Sequence, residues 1–186
     1  LVIKQGAYPY NYITCANAQK KSSELNSGDY KSSLMFGIQW DLVIKHLQVK
    51  GKMTEDDLTV NSKNRGNYKD TTFTIENGQY TISASTSNSF KIYTESTSGY
   101  LEDSTKLQDK SVLLTTGATK RNMRMNIYDL AGNVWEWTLE KSTYINNPCA
   151  VRGGSYDYYG TYTVSNRRDN SSSDKYSSYG FRSALY

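Results

Sequence analysis

Four short motifs in a fixed order constrain this chain more than anything else in it. They are Gly132-Asn133-Val134-Trp135-Glu136-Trp137, Arg152-Gly153-Gly154-Ser155-Tyr156, Asn166-Arg167 and Gly180-Phe181-Arg182. In the first, two Trp flank a Glu at period two. A strand would turn both rings to one side and the acid to the other. Gly132-Asn133 reads as the turn that feeds this strand. Between the later motifs run tracts built almost wholly of Tyr, Ser, Asp, Asn, Thr and Gly, at 156–163 and 168–179. Such tracts add little to an apolar core. They are suited to contact, because Tyr offers a large rigid area with few rotors and Ser, Asn and Asp offer adaptable hydrogen bonds.

The upstream part reads as two short helices and many short strands. Thr14 caps a helix expected over 14–25, where Ala16, Ala18 and Leu25 alternate with long polar residues. A second helix is expected over 38–47, because Trp40, Val43, Ile44 and Leu47 form one apolar stripe with His46 beside it. Residues 51–70 are charged and rich in Asn and Gly, which predicts a loop. Residues 71–95 alternate as strands: 72–75, 80–82 and 90–93. Asn77-Gly78 between the first two runs signals a hairpin turn. Residues 94–110 read as polar loop and 112–114 as a short buried strand. This mixture predicts an α+β fold in one domain spanning 1–186.

Bulk properties narrow the function classes. The 186 residues suffice for one domain with a core. There are 17 Tyr but only 4 Phe, and Tyr keeps a polar tip on a buried ring. The net charge of +4 is mild and the densest basic cluster, Lys120, Arg121 and Arg124, is short. A nucleic-acid partner needs a concentrated basic face, so none is expected. No apolar run is long enough for a membrane span, and no signal-peptide pattern is present. The chain opens at Leu1 without Met, which leaves room for a leader or an upstream domain. Cys15 and Cys149 sit in no CxxC spacing and there is one His, so zinc is not expected. The two cysteines form either one long-range disulfide or two separate thiols; a disulfide would favour an extracellular setting.

The ordered motifs closely resemble the formylglycine-generating-enzyme (sulfatase-modifying factor) family. The signature there is a GNVWEW segment, then RGGS and an aromatic, an Arg in a strand, and GFR. The likeness is specific over about the last 70 residues, looser over 14–47 and slight over 51–110. It implies a C-type-lectin-like fold: two short helices packed on irregular antiparallel sheets, with long loops. It also implies that the family's opening strands are missing before the first helix.

That family's enzyme oxidises a substrate cysteine with a copper ion held by two cysteines, which follow the motif's aromatic by two and seven residues. Counted from Tyr156, those positions are Tyr158 and Thr163. Cu(I) takes soft thiolate ligands, which a phenol and a hydroxyl cannot replace. A formylglycine-generating oxidase is therefore disfavoured, and no other catalytic constellation stands in for it. No cofactor is required. In the resembled family the GNVWEW region contributes to a structural calcium site, and Asn133 and Glu136 match positions able to give hard oxygen ligands. The preferred alternative is that Asn133 makes a turn and Glu136 pairs with an Arg, because one carboxylate is a thin anionic set. A calcium-dependent carbohydrate lectin would carry Glu-Pro-Asn or Gln-Pro-Asp. Neither occurs, and the chain's prolines are Pro9 and Pro148.

The tracts also resemble the variable regions of diversity-generating retroelement target proteins, which end in an RGGS…GFR framework. Adenine mutagenesis of Asn codons yields Tyr, Ser, Asp, Thr and Gly, the residues found here. By that resemblance the binding segment is about 152–182. Its contact positions are Asp157, Tyr158, Tyr159, Tyr162, Arg168, Asp169, Asn170, Asp174, Tyr176, Ser177 and Tyr179. Arg152, Arg167 and Arg182 read as framework, pairing with Glu136 or with loop carbonyls. The expected function is a non-catalytic receptor- or adhesin-type domain. Its expected partner is a protein or glycan on a cell surface, and its expected setting a cell surface, the secreted space or a phage particle.

Overall fold

A computed structural model describes residues 1, 3–25, 29–82, 90–92 and 99–186. In chain order the elements are α1 (Cys15–Ser23), β1 (Ser32–Leu34), α2 (Gly37–Val49), α3 (Glu55–Thr59), β2 (Phe73–Thr74), β3 (Gln79–Thr81), β4 (Lys91–Ile92), β5 (Leu101–Glu102) and β6 (Thr105–Lys106). There follow β7 (Leu113–Leu114), a 3₁₀ turn (Lys120–Asn122), β8 (Met123–Arg124), β9 (Ile127–Tyr128), β10 (Trp135–Lys141), β11 (Cys149–Arg152), β12 (Arg167–Asn170), β13 (Tyr179–Phe181) and β14 (Ser183–Leu185). This is the expected α+β, C-type-lectin-like arrangement.

The helices start where the sequence says they should. Thr14 caps α1 by accepting from the Asn17 amide, and Lys20 and Lys21 sit in the last turn, where the helix dipole favours cations. The helix ends two residues before the expected boundary. Gln39 Oε1 closes the start of α2 by accepting from Phe36 N at 2.8 Å. The α2 stripe is real: Trp40 and Leu47 are buried with Met53, Leu58, Tyr68, Leu130, Ala131 and Val164, and Val43 and Ile44 pack against that cluster. Each fully buried Leu-sized side chain contributes about 2 kcal/mol.

The central sheet runs β12-β11-β10-β13, with β10 parallel to β13 and the other pairs antiparallel. Trp135 and Trp137 do share one face, in a cluster with Ile13, Ala18, Leu34, Val151 and Tyr179. Glu136 points the other way but is also buried, so both faces of β10 are covered. Trp137 Nε1 donates to Ile13 O at 2.8 Å, which ties the approach to α1 onto the sheet. The last strand returns to the first: β1 pairs antiparallel with β14, from Ser32↔Leu185 to Leu34↔Ser183.

The middle of the chain departs from expectation. Within the segment 51–70, read as loop, Thr54 and Asp57 form a reciprocal capping box that starts α3. The Asn77-Gly78 turn exists, with Gly78 at φ +81°, but it does not make a hairpin. β2 pairs with β6, while β3 pairs with β4 and β7. The Glu76 and Asn77 amides both donate to Ala118 O, so the turn hands the chain from one small sheet to the next. Residues 101–106, read as loop, form the β5–β6 hairpin. Its Asp103 and Ser104 both take positive φ, the backbone that a tight two-residue hairpin requires. Residue 93 of the expected 90–93 strand lies outside the described residues.

Candidate ligand-binding face

The Arg152-Gly153-Gly154 corner takes the chain out of β11 into the contact tract. Gly153 and Gly154 have φ +92° and +77°. A Cβ on Gly153 would lie 2.7 Å from Leu130 O, and one on Gly154 would fall on the carbonyl oxygen of Tyr162. Only glycine meets both demands. The framework then receives the tract largely through its main chain. Lys69 N donates to Tyr158 O at 2.8 Å and Ser62 N to Gly160 O at 2.8 Å. Gly160 N donates to Asp70 Oδ1 at 2.9 Å. Trp40 Nε1 donates to Val164 O and the Tyr68 hydroxyl to Gly153 O, each at 2.9 Å.

Trp135 forms an aromatic floor. The rings of Tyr158 and Tyr162 stand edgewise to it at 5.9 and 6.0 Å and to each other at 4.7 Å. Arg168 donates to the Tyr158 hydroxyl and lies 5.5 Å from that ring. Tyr176 packs edgewise on Tyr179 at 5.0 Å, and Tyr179 on Trp137 at 5.3 Å. Burial pushes the Tyr156 and Tyr179 phenols up to about 12, with Arg168 pulling Tyr179 back and Ser177 pulling Tyr156 back. Both stay neutral near pH 7.

The eleven sequence-derived positions therefore divide by placement. Tyr159, Tyr162, Arg168 and Tyr176 are exposed, and Asp157, Tyr158, Asp174 and Ser177 are half-buried. Asn170 and Tyr179 are buried, and the Tyr179 hydroxyl donates to Asn170 Oδ1 at 2.7 Å. They support the face from below rather than form it. Asp169 is half-buried, but strand alternation sends it to the other side of β12 from Arg168. There it pairs with Arg167, which also pairs with Glu140. Arg152 pairs with Asp41 and lies 4.0 Å from Glu140, so this charged set braces the sheet against α2.

The candidate metal positions are taken by protein partners. Asn133 Oδ1 accepts from Asn67 and from Leu114 N at 3.0 and 3.1 Å, and its amide donates to Leu114 O. Glu136 accepts from Arg182 through both oxygens, at 2.9 and 2.7 Å. This donor set fits a buried ion pair, not a calcium ion. Thr163, at one thiolate position, is buried and bonded to Ser165 and Asn166, and Tyr158 offers a phenol; neither fits Cu(I). Cys15 and Cys149 lie side by side as free thiols.

Sequence reasoning missed two contributors. Lys69 places its ammonium 5.6 Å from the Tyr159 ring. The Tyr8-Pro9-Tyr10-Asn11-Tyr12 segment docks along the tract: Tyr12 N donates to Tyr176 O at 3.1 Å and Asn11 Nδ2 to Ser177 O at 2.7 Å. Tyr at every second position was the available signal, since it repeats the tract's own composition.

No curated protein matches this sequence. Among solved structures, Treponema denticola variable protein 1 superposes with a TM-score of 0.53 at 16% sequence identity, covering 98% of this chain and 72% of that one. That likeness shows a shared fold. The sulfatase-modifying factor enzyme 1-like domain matches residues 2–185, nearly the whole chain, and the protein belongs to that family.

Proposed function

We propose that this domain is a non-catalytic ligand-binding module that presents Tyr158, Tyr159, Tyr162, Arg168 and Tyr176 to a protein or glycan on a cell surface. One observation carries the reading: half-buried Tyr158 and exposed Tyr162 stand over a buried Trp135 floor, with Arg168 on the Tyr158 ring, where the family's oxidase needs two thiolates. Rigid amphipathic rings with an Arg among them are what dense contact surfaces use. Asp157, Asp174 and Ser177 line the same tract and supply polar contacts. The tract's residue set further supports retroelement diversification of its exposed positions.

The test is capture of cell-surface glycans and ectodomains by the full chain. The Tyr158→Ala/Tyr159→Ala/Tyr176→Ala variant should lose capture by more than about tenfold while still unfolding cooperatively in urea. Unchanged capture would refute the face. Formylglycine formed from a cysteine peptide in the presence of Cu(I) would refute the non-catalytic reading. A near-copy of the tract's coding DNA that differs only at adenines would establish diversification.

A further inference from the structure

Beside the tyrosine face lies a groove of about 340 Å³, between the 10–13 segment, one side of α1 and the loop at Lys175. Its volume sits at the lower end of small-ligand sites, which run from about 300 to 1,000 Å³. Among the described residues three cations line it, Lys20, Lys21 and Lys175, and no Asp or Glu does. Lys21 is held by Glu24 at 2.7 Å. Lys20 and Lys175 make no ion pair among the described residues. Thr14 and Asn17 continue the same wall toward the N-terminus of α1. The field in the groove therefore favours an anion.

The remaining wall is aromatic and polar. Tyr10 is exposed and packs edgewise on Phe181 at 5.7 Å, which fixes its ring. Tyr12 is held by its amide bond to Tyr176 O. Flat rings accept the C–H face of a pyranose. The phenols, the Thr14 hydroxyl and the Asn17 amide match its hydroxyls as donors and acceptors. The groove is compact and bounded on three sides, which suits one or two sugar rings better than an extended peptide.

We propose that this groove binds an acidic saccharide, its carboxylate or sulfate seated between Lys20 and Lys175 and its ring against Tyr10 and Tyr12. The site goes beyond the face reading and stands on different residues. The decisive experiment titrates the full chain with sialyllactose, a sulfated disaccharide, lactose, inorganic sulfate and a polyglutamate peptide by calorimetry at low salt. At least one acidic sugar should bind about tenfold more tightly than lactose and than sulfate, and the two acidic arms identify the anion. Lys20→Gln/Lys175→Gln should lose about tenfold of that binding, and added salt should weaken it. Equal binding of lactose, equal binding of sulfate or polyglutamate, no saturable binding of either acidic sugar, or an unaffected lysine variant would each overturn the proposal. The Tyr158/Tyr159/Tyr176 alanine variant should bind the sugar as wild type does. Loss there would move the sugar to the face and overturn the groove. Sugar binding absent with tyrosine-dependent capture intact would leave the face reading standing.

Discussion

Replacing Arg182 with Met should cost far more stability than replacing its partner Glu136 with Gln. Arg182 bonds both Glu136 oxygens and also donates to Tyr128 O at 3.0 Å. Glu136 and Asp129 are both buried, and burial raises both carboxyls against the pull of Arg182. Removing the guanidinium leaves two buried carboxylates without the cation that offsets them. Breaking a buried pair in this way costs about 3–5 kcal/mol. The Arg182 side chain is 26% exposed, so some water reaches it and about 3 kcal/mol is the better figure. Glu136→Gln keeps an acceptor and leaves a cation that water can reach, so it should cost about 1–2 kcal/mol. In the Arg182→Met variant the folded-state carboxyls rise further above their unfolded values. The native state then binds more protons, so the stability deficit shrinks as pH falls toward 5. Urea unfolding followed by the fluorescence of Trp40, Trp135 and Trp137, at pH 7 and pH 5, measures all of this. Equal losses below about 0.5 kcal/mol for the two variants, or a deficit independent of pH, would refute the buried-pair account.

Three further outcomes follow from the same geometry. Gly154→Ala should destabilise by roughly 1–3 kcal/mol in urea melts, because it puts a side chain at φ +77° against Tyr162 and Tyr68. Lys106 is fully buried, its ammonium donating to Thr71 O, Lys69 O and Leu107 O, and burial lowers it to about 8, with Asp70 pulling it back up. The unfolded chain therefore holds a proton that the fold sheds between about pH 8 and 10, so stability rises over that window by up to roughly 3 kcal/mol, a slope that Lys106→Met should lack. Burial, and then the neighbouring Cys149, push the Cys15 thiol up to about 12, so iodoacetamide at pH 8 should label it roughly a thousandfold more slowly in the fold than in urea.

The sequence is most legible where chemistry is local. The stripe of Trp40, Val43, Ile44 and Leu47, the Thr14 cap and the Gly153-Gly154 corner each depend on neighbours a few residues away. The region 51–110 is opaque because its strands are two or three residues long and its one helix has five residues, and because some strands pair with distant partners, as Phe73 does with Lys106. Two residues are too few for alternation to show. The Tyr/Ser/Asp-rich tract was legible as a tract, but not which of its residues the fold leaves exposed. Tyr179 shares the tract's composition, yet it lies beside Trp135 in β13's parallel pairing with β10, which buries it. Asp169 was misplaced because the alternation of β12 matters only once its pairing with β11 is known.

Main-chain bonds that hold 156–163 to the framework use Tyr156 N, Tyr158 O and Gly160 N and O, atoms that do not depend on which side chain the residue bears. The loop's shape is thus largely decoupled from the identity of its exposed side chains. Substitutions at Tyr159, Tyr162 or Tyr176 redraw what the surface offers without redrawing the surface's outline. On the proposed reading, a lineage carrying this domain can explore new partners while spending little of its folding stability on the search.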